Sequence, residues 1–148
     1  MKRAEQSIAI AASPEEVFAY AASLDHLADW QSGISSARLL GDGPIGVGSK
    51  ALVVRDLLGQ HIEAPLEVTA YDPPNLLRLR SEVSGVAADA SLDVKARGHG
   101  SRITFAMEIR GSGLTAFMEP MIASAAEADI ARSLDRLKEL IEGRSTAD

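Results

Sequence analysis

The sequence predicts an α+β domain. One antiparallel sheet of about seven strands, two short helices near the N-terminus and a long C-terminal helix would together enclose a cavity. Three observations carry this reading. Four successive segments in the second half alternate apolar and polar residues, a long amphipathic segment then closes the chain, and the apolar rows are rich in alanine.

The alternation is strict. Apolar residues fall on every second position in Ile62, Ala64, Leu66, Val68 and Ala70, and again in Leu77, Leu79 and Val83, where Ser81 interrupts the row. The pattern continues through Val86, Ala88, Ala90, Leu92, Val94 and Ala96, and ends with Ile103, Phe105, Met107 and Ile109. Between them stand Glu63, Glu67, Arg78, Arg80, Asp89, Asp93, Lys95, Arg102 and Glu108. A period of two places these sets on opposite faces of a sheet, one wet and one dry.

The remaining elements follow in order. Residues 5–11 alternate weakly and read as a first strand. Ser13-Pro14-Glu15-Glu16 is a helix start: the Ser13 side chain can accept the backbone N–H of Glu16, and Pro14 sits where its missing N–H is harmless. Val17, Phe18 and Ala21 give that helix its apolar face, and Leu24 to Trp30 reads as a second short helical stretch. Residues 34–40 and 49–57 read as two further strands joined by the glycine-rich turn 41–48. The phase of 49–57 is open, because Ala51-Leu52-Val53-Val54 is apolar on both sides. Turns are expected at 72–75, near Gly85 and at 98–100. The closing helix is expected over 115–142, with Gly143 at its C-cap. Its apolar residues form two clusters, Leu114, Met118, Met121, Ile122 and Ala125, then Ile130, Leu134, Leu137 and Ile141, about a third of a turn apart. That offset predicts a bend, or a separate turn before Pro120. Residues 1–143 form one domain and 144–148 a tail.

Composition narrows the function. With 148 residues, 46% of them hydrophobic, the chain can build one real core. A net charge of −6 argues against nucleic-acid binding, which calls for a basic stripe. There is no cysteine, so disulfides, thiolate metal sites and cysteine nucleophiles are excluded, and a reducing cytoplasm fits. No segment approaches the roughly 20 apolar residues of a membrane span, and the N-terminus meets acidic residues too soon for a signal peptide. A monomer or homodimer is expected.

The order strand, two short helices, six strands, long helix resembles the START-like superfamily, also called SRPBCC or helix-grip, in its polyketide cyclase/dehydrase and lipid-transport type. The matching stretches are Ala12-Ser13-Pro14-Glu15-Glu16-Val17-Phe18, residues 24–30, the turn 41–48, Glu67 to Pro74, and Leu134 to Glu142. The resemblance implies a helix-grip fold with a cavity. Its members include aromatic polyketide cyclases, lipid and steroid carriers, coenzyme-Q binders and plant hormone or pollen proteins, so the fold does not choose among them.

Sequences that look like chemistry mostly have plainer explanations. Gly41-x-Gly43-x-x-Gly46 matches a dinucleotide fingerprint in letters, but a strand follows it where a helix is required. His26, His61 and His99 lack the spacing of a metal motif, so no metal and no cofactor is expected. No G-x-S-x-G elbow exists for a serine nucleophile. Arg55 and His61 are the two weak catalytic candidates: an inward arginine could orient a carboxylate or polarise a carbonyl, and His61 could stand at a cavity mouth. Ser81 and Asp129 are possible polar anchors inside. Trp30, the one tryptophan, can plug the short helices against the sheet or stack on a ligand.

Alanines at 64, 70, 88, 90 and 96, facing Ala125 and Ala126, fill space poorly against the density that cores otherwise reach. Methionines 107, 118 and 121 offer adaptable walls. A ligand cavity is therefore expected to be lined by Phe18, Trp30, Leu52, Val54, Ile62, Leu66, Leu79, Ser81, Ala88, Ala90, Leu92, Phe105, Met107, Phe117, Met118, Met121, Ile122 and Ala125. The function expected is binding of a hydrophobic small molecule, a lipid, polyketide or other ring compound, as carrier or sequestering protein. The alternative is a polyketide cyclase/dehydrase-type enzyme, and a weaker one is an accessory interaction domain.

Overall fold

A computed structural model describes residues 2–41, 43–57, 59–83, 85–111 and 119–146. The chain runs β1 (Lys2–Ile10), α1 (Pro14–Ala21), one 3-10 turn (Leu24–His26), α2 (Leu27–Trp30) and β2 (Ile34–Leu40). It continues with β3 (Lys50–Leu57), β4 (Gln60–Asp72), β5 (Leu76–Val83), β6 (Val86–Arg97), β7 (Gly100–Gly111) and α3 (Glu119–Thr146). The seven strands form one sheet in the order β1-β7-β6-β5-β4-β3-β2. All neighbours are antiparallel, and α3 packs chiefly on β1 and β7. This is the α+β, helix-grip architecture that the alternation and the closing helix predict.

Local chemistry explains the element ends. The Glu16 N–H donates to Ser13 Oγ at 3.2 Å, and Pro14 opens α1. β1 begins at Lys2 rather than at Glu5, because its ladder with β7 runs on to Ile109. The described part of α3 runs from Glu119, with Pro120 its second residue. Gly143 lies inside the last turns of α3 and is not its cap, since the helix continues to Thr146. Leu114, Phe117 and Met118 lie outside the described residues.

One register shift changes which face a residue takes. β4 carries a bulge between Val68 and Ala70: Val68 pairs with Leu79, but Ala70 pairs with Arg78 and Tyr71 with Leu77. Ala70 therefore leaves the inner row. Tyr71 takes its place and meets Phe18 with ring centroids 5.8 Å apart.

The core has a filled end. Phe18, Leu24, Leu27 and Trp30 from the two short helices are buried with Leu66, Leu79, Leu92 and Phe105 from the sheet. Trp30 stands edge-on to Phe105 at 5.9 Å. From its middle onward α3 adds Ile130, Leu134, Leu137 and Ile141, all buried. Polar ties pin this part to β1: Lys138 Nζ donates to the Ala9 carbonyl at 3.0 Å and pairs with Glu142 at 2.6 Å. The Ala11 N–H donates to the Glu142 carboxylate at 3.0 Å.

Candidate functional site

Beyond the filled end, the sheet and the first half of α3 part and leave a cavity of about 260 Å³. The cause is side-chain size. Ala64 and Ala88 line it from the sheet, and Ala125 and Ala126 from the helix; none reaches far enough to close the gap. Ile62, Val86, Phe105, Met107, Ile109, Ile122 and Ile130 complete an apolar wall. The two apolar clusters of α3 thus do different work: Leu134, Leu137 and Ile141 of the later one are packed core, Ile130 stands at the cavity's border, and Ile122 and Ala125 of the earlier one roof the cavity.

Most of the polar residues gather at one end of the cavity, where Gln31, Ser32, Gly33, Arg55, Asp56, Asp129 and Ser133 line it; Ser81 stands apart, opposite Ala88. Hydrogen bonds stitch this corner together. The Ser32 N–H donates to Ser133 Oγ at 2.8 Å, and that hydroxyl donates to the Asp129 carbonyl at 2.6 Å. The Asp56 N–H donates to the Gly33 carbonyl at 2.6 Å. Gly33 has φ +89°, a conformation that side chains resist, and a Cβ there would meet Asp129 Oδ2 at 3.7 Å.

Pairing with β4 settles the phase of β3. Ala51 lies opposite Leu66, Val53 opposite Ala64 and Arg55 opposite Ile62, so these three face inward. Leu52 and Val54, expected in the cavity wall, lie opposite Pro65 and Glu63 on the other face. Arg55 enters the wall in their stead. It makes no hydrogen bond or ion pair among the described residues. Burial pushes its guanidinium pKa below the ordinary value, opposed by the charge of Asp129. Asp129 is itself bound to Arg132 one turn along α3. Asp56 is paired with His61.

The other expected residues divide cleanly. Ile62, Ser81, Ala88, Phe105, Met107, Ile122 and Ala125 line the cavity. Phe18, Trp30, Leu66, Leu79 and Leu92 do not; they are packed in the adjoining core, and Ala90 packs against it. Met121 is turned outward and 53% exposed. His61 lies outside the wall, with 77% of its side chain exposed. His26 is half exposed and paired with Asp29 at 2.8 Å, and His99 is exposed in the 98–99 turn. No group of three His, Asp or Glu side chains that could hold a metal ion occurs among the described residues. None of their helices is long and apolar enough to cross a membrane. Gln31, Ser32, Gly33 and Ser133 were not foreseen as lining; only contact between the α2–β2 corner and α3 brings them in.

A seven-stranded sheet gripped by one long helix over an alanine-lined cavity defines a ligand-binding class of fold. The chain belongs to the polyketide cyclase/dehydrase and lipid transport family, whose model matches residues 1–142. No curated protein matches it in sequence. Solved structures share its fold. The protein TTHA0849 from Thermus thermophilus superposes with a TM-score of 0.81 at 16% identity, covering 97% of this chain and 99% of that one. A START superfamily protein from Mycobacterium smegmatis gives 0.80 at 12% identity, covering 95% and 97%. The Zhui aromatase/cyclase from Streptomyces sp. R1128 gives 0.78 at 16% identity, covering 97% and 95%.

Proposed function

We propose that the protein binds a compact hydrophobic small molecule in this cavity, as a carrier or sequestering protein. The observation that carries the reading is the cavity itself: a mainly apolar space between sheet and helix, left open because alanines face each other across it. Its volume stands just below the small-molecule sites of about 300–1,000 Å³. Each methylene moved there from water contributes about 0.8 kcal/mol. Family membership supports ligand binding of this kind.

Ala88→Phe is the direct test. Ala88 lines the cavity on β6, and a benzyl group there occupies the space a ligand would use. Binding of a panel of fatty acids, sterols and ring compounds is expected to weaken at least tenfold, with the melting temperature kept or raised. Unchanged affinity would remove the cavity as the site.

A second reading, cyclase-type chemistry on a polyketone, draws support from one observation: Arg55, Asp56 and Asp129 are charged groups lining a mainly apolar cavity. Such a reaction needs a proton carrier and a group that stabilises an enolate. His61 is poorly placed to serve, being outside the wall. Ring-closed product from a linear polyketone, lost in Arg55→Ala, would favour this reading; recovery of unchanged polyketone would favour the carrier.

A further inference from the structure

Resting on the reading of the cavity as a ligand site, we propose that its ligand is an apolar carboxylic acid: the carboxylate pairs with Arg55, and the hydrocarbon body lies along Ala88, Met107 and the first half of α3.

The cavity is built with two unlike ends. Val86, Ala88, Met107, Ile109 and Ile122 make one end mainly hydrocarbon, with Ser81 opposite Ala88. The other end holds Arg55 on the inner face of β3, fixed there by the register that sets it opposite Ile62. A guanidinium stays charged in a protein and offers five N–H donors in a planar fork. Those donors meet no acceptor among the described residues. Taking a guanidinium out of water without a hydrogen-bonded partner is costly; the charge of Asp129 offsets part of that cost, and an incoming anion offsets more.

The two nearby carboxylates already have other partners. Asp129 is bound to Arg132, and Asp56 is paired with His61. Both pairs are anchored on the outer side of the corner, where Arg132 and His61 are 65% and 77% exposed. A ligand carboxylate matches the fork in a bidentate pair, which a hydroxyl or an ester cannot do. The carboxylates of Asp129 and Asp56 disfavour an anion there, so selectivity rests on Arg55 and is tempered by its neighbours.

Titration calorimetry at neutral pH with decanoate against decanol, and naphthoate against naphthalenemethanol, tests the idea. Each acid is expected to bind on the order of ten- to a hundredfold more tightly than its alcohol, the range of a charge-assisted hydrogen bond. Arg55→Gln is expected to bring the acid down to the alcohol's affinity, and Arg55→Lys to restore part of the preference. Asp129→Asn, which removes the competing anion, is expected to tighten the acid severalfold. Equal affinity of acid and alcohol in the unmodified protein would overturn the proposal while leaving the cavity as a ligand site, and it needs no variant to fold. A preference that survives Arg55→Gln would overturn it too. Failure of all four probes to bind would overturn both this proposal and the binding reading beneath it.

Discussion

Ser133 shows how one hydroxyl shapes the site. It accepts the Ser32 N–H and donates to the Asp129 carbonyl, so it ties the loop before β2 to the helix that roofs the cavity. It is 3% exposed, and losing it would strand a part-buried N–H. Ser133→Ala is expected to cost about 1–3 kcal/mol in urea unfolding. It should also weaken ligand binding, because the Gly33 corner then loses its fixed position. A variant as stable as the parent, with unchanged affinity, would show that the clip contributes nothing. Arg55 carries a different lesson at this scale. A residue read from sequence as one of two weak catalytic candidates proves to be a charged member of the cavity wall.

Among the elements, α3 joins two tasks. Its later half is core, with Leu137 at 0% exposure, and its earlier half spans open space. The later half is also held by charge. The Lys138 side chain and the Ala11 N–H hold the Glu142 carboxyl below its ordinary pKa, Lys138 the more strongly. A carboxyl lowered in the folded state adds stability above its unfolded value near 4.5, and loses it as pH falls through the folded value. Glu142→Gln is therefore expected to be less stable than the parent at neutral pH, with the gap closing as pH falls below the unfolded value and through the lower folded one. Urea unfolding at several pH values measures this; a gap constant with pH would contradict it. The strands also mark what sequence could disclose. Rows with charged or polar residues between most apolar pairs, as in β4 to β7, had one possible phase, and their ladders confirm it except past the β4 bulge. β3 had two, because Ala51 and Val53 look as apolar as Leu52 and Val54, and only pairing with β4 chooses between them. The Ser13 cap was legible because its chemistry is local, whereas the corner of Gln31, Gly33 and Ser133 depends on contacts a hundred residues apart in sequence, as between Ser32 and Ser133.

The whole molecule is a meander from β2 to β7, with β1 laid against the far edge of β7. Both short helices lie between the two edge strands in sequence, so their bulky residues fill one end of the space under α3. The alanine rows leave the other end open. Sequence signalled the cavity through those alanines, yet Phe18, Leu66, Leu79 and Leu92, large enough to fill the space around them, went to the core. The partition by size explains why a single domain has both a dense core and a void without a second layer of helices.

The boundary between those two ends falls at the contact of Trp30 with Phe105. Phe105 lines the cavity, Trp30 is 2% exposed behind it, and the chain has no second tryptophan. The indole N–H, moreover, has no acceptor among the described residues. Light absorbed at the red edge of the aromatic band is thus taken up at one site, one ring away from any occupant. The molecule carries its own dye: filling the cavity is expected to shift or quench the indole emission, and Phe105→Leu to blunt that response. An emission spectrum indifferent to saturating ligand would separate the two rings. Otherwise a library of unlabelled compounds can be sorted by colour alone.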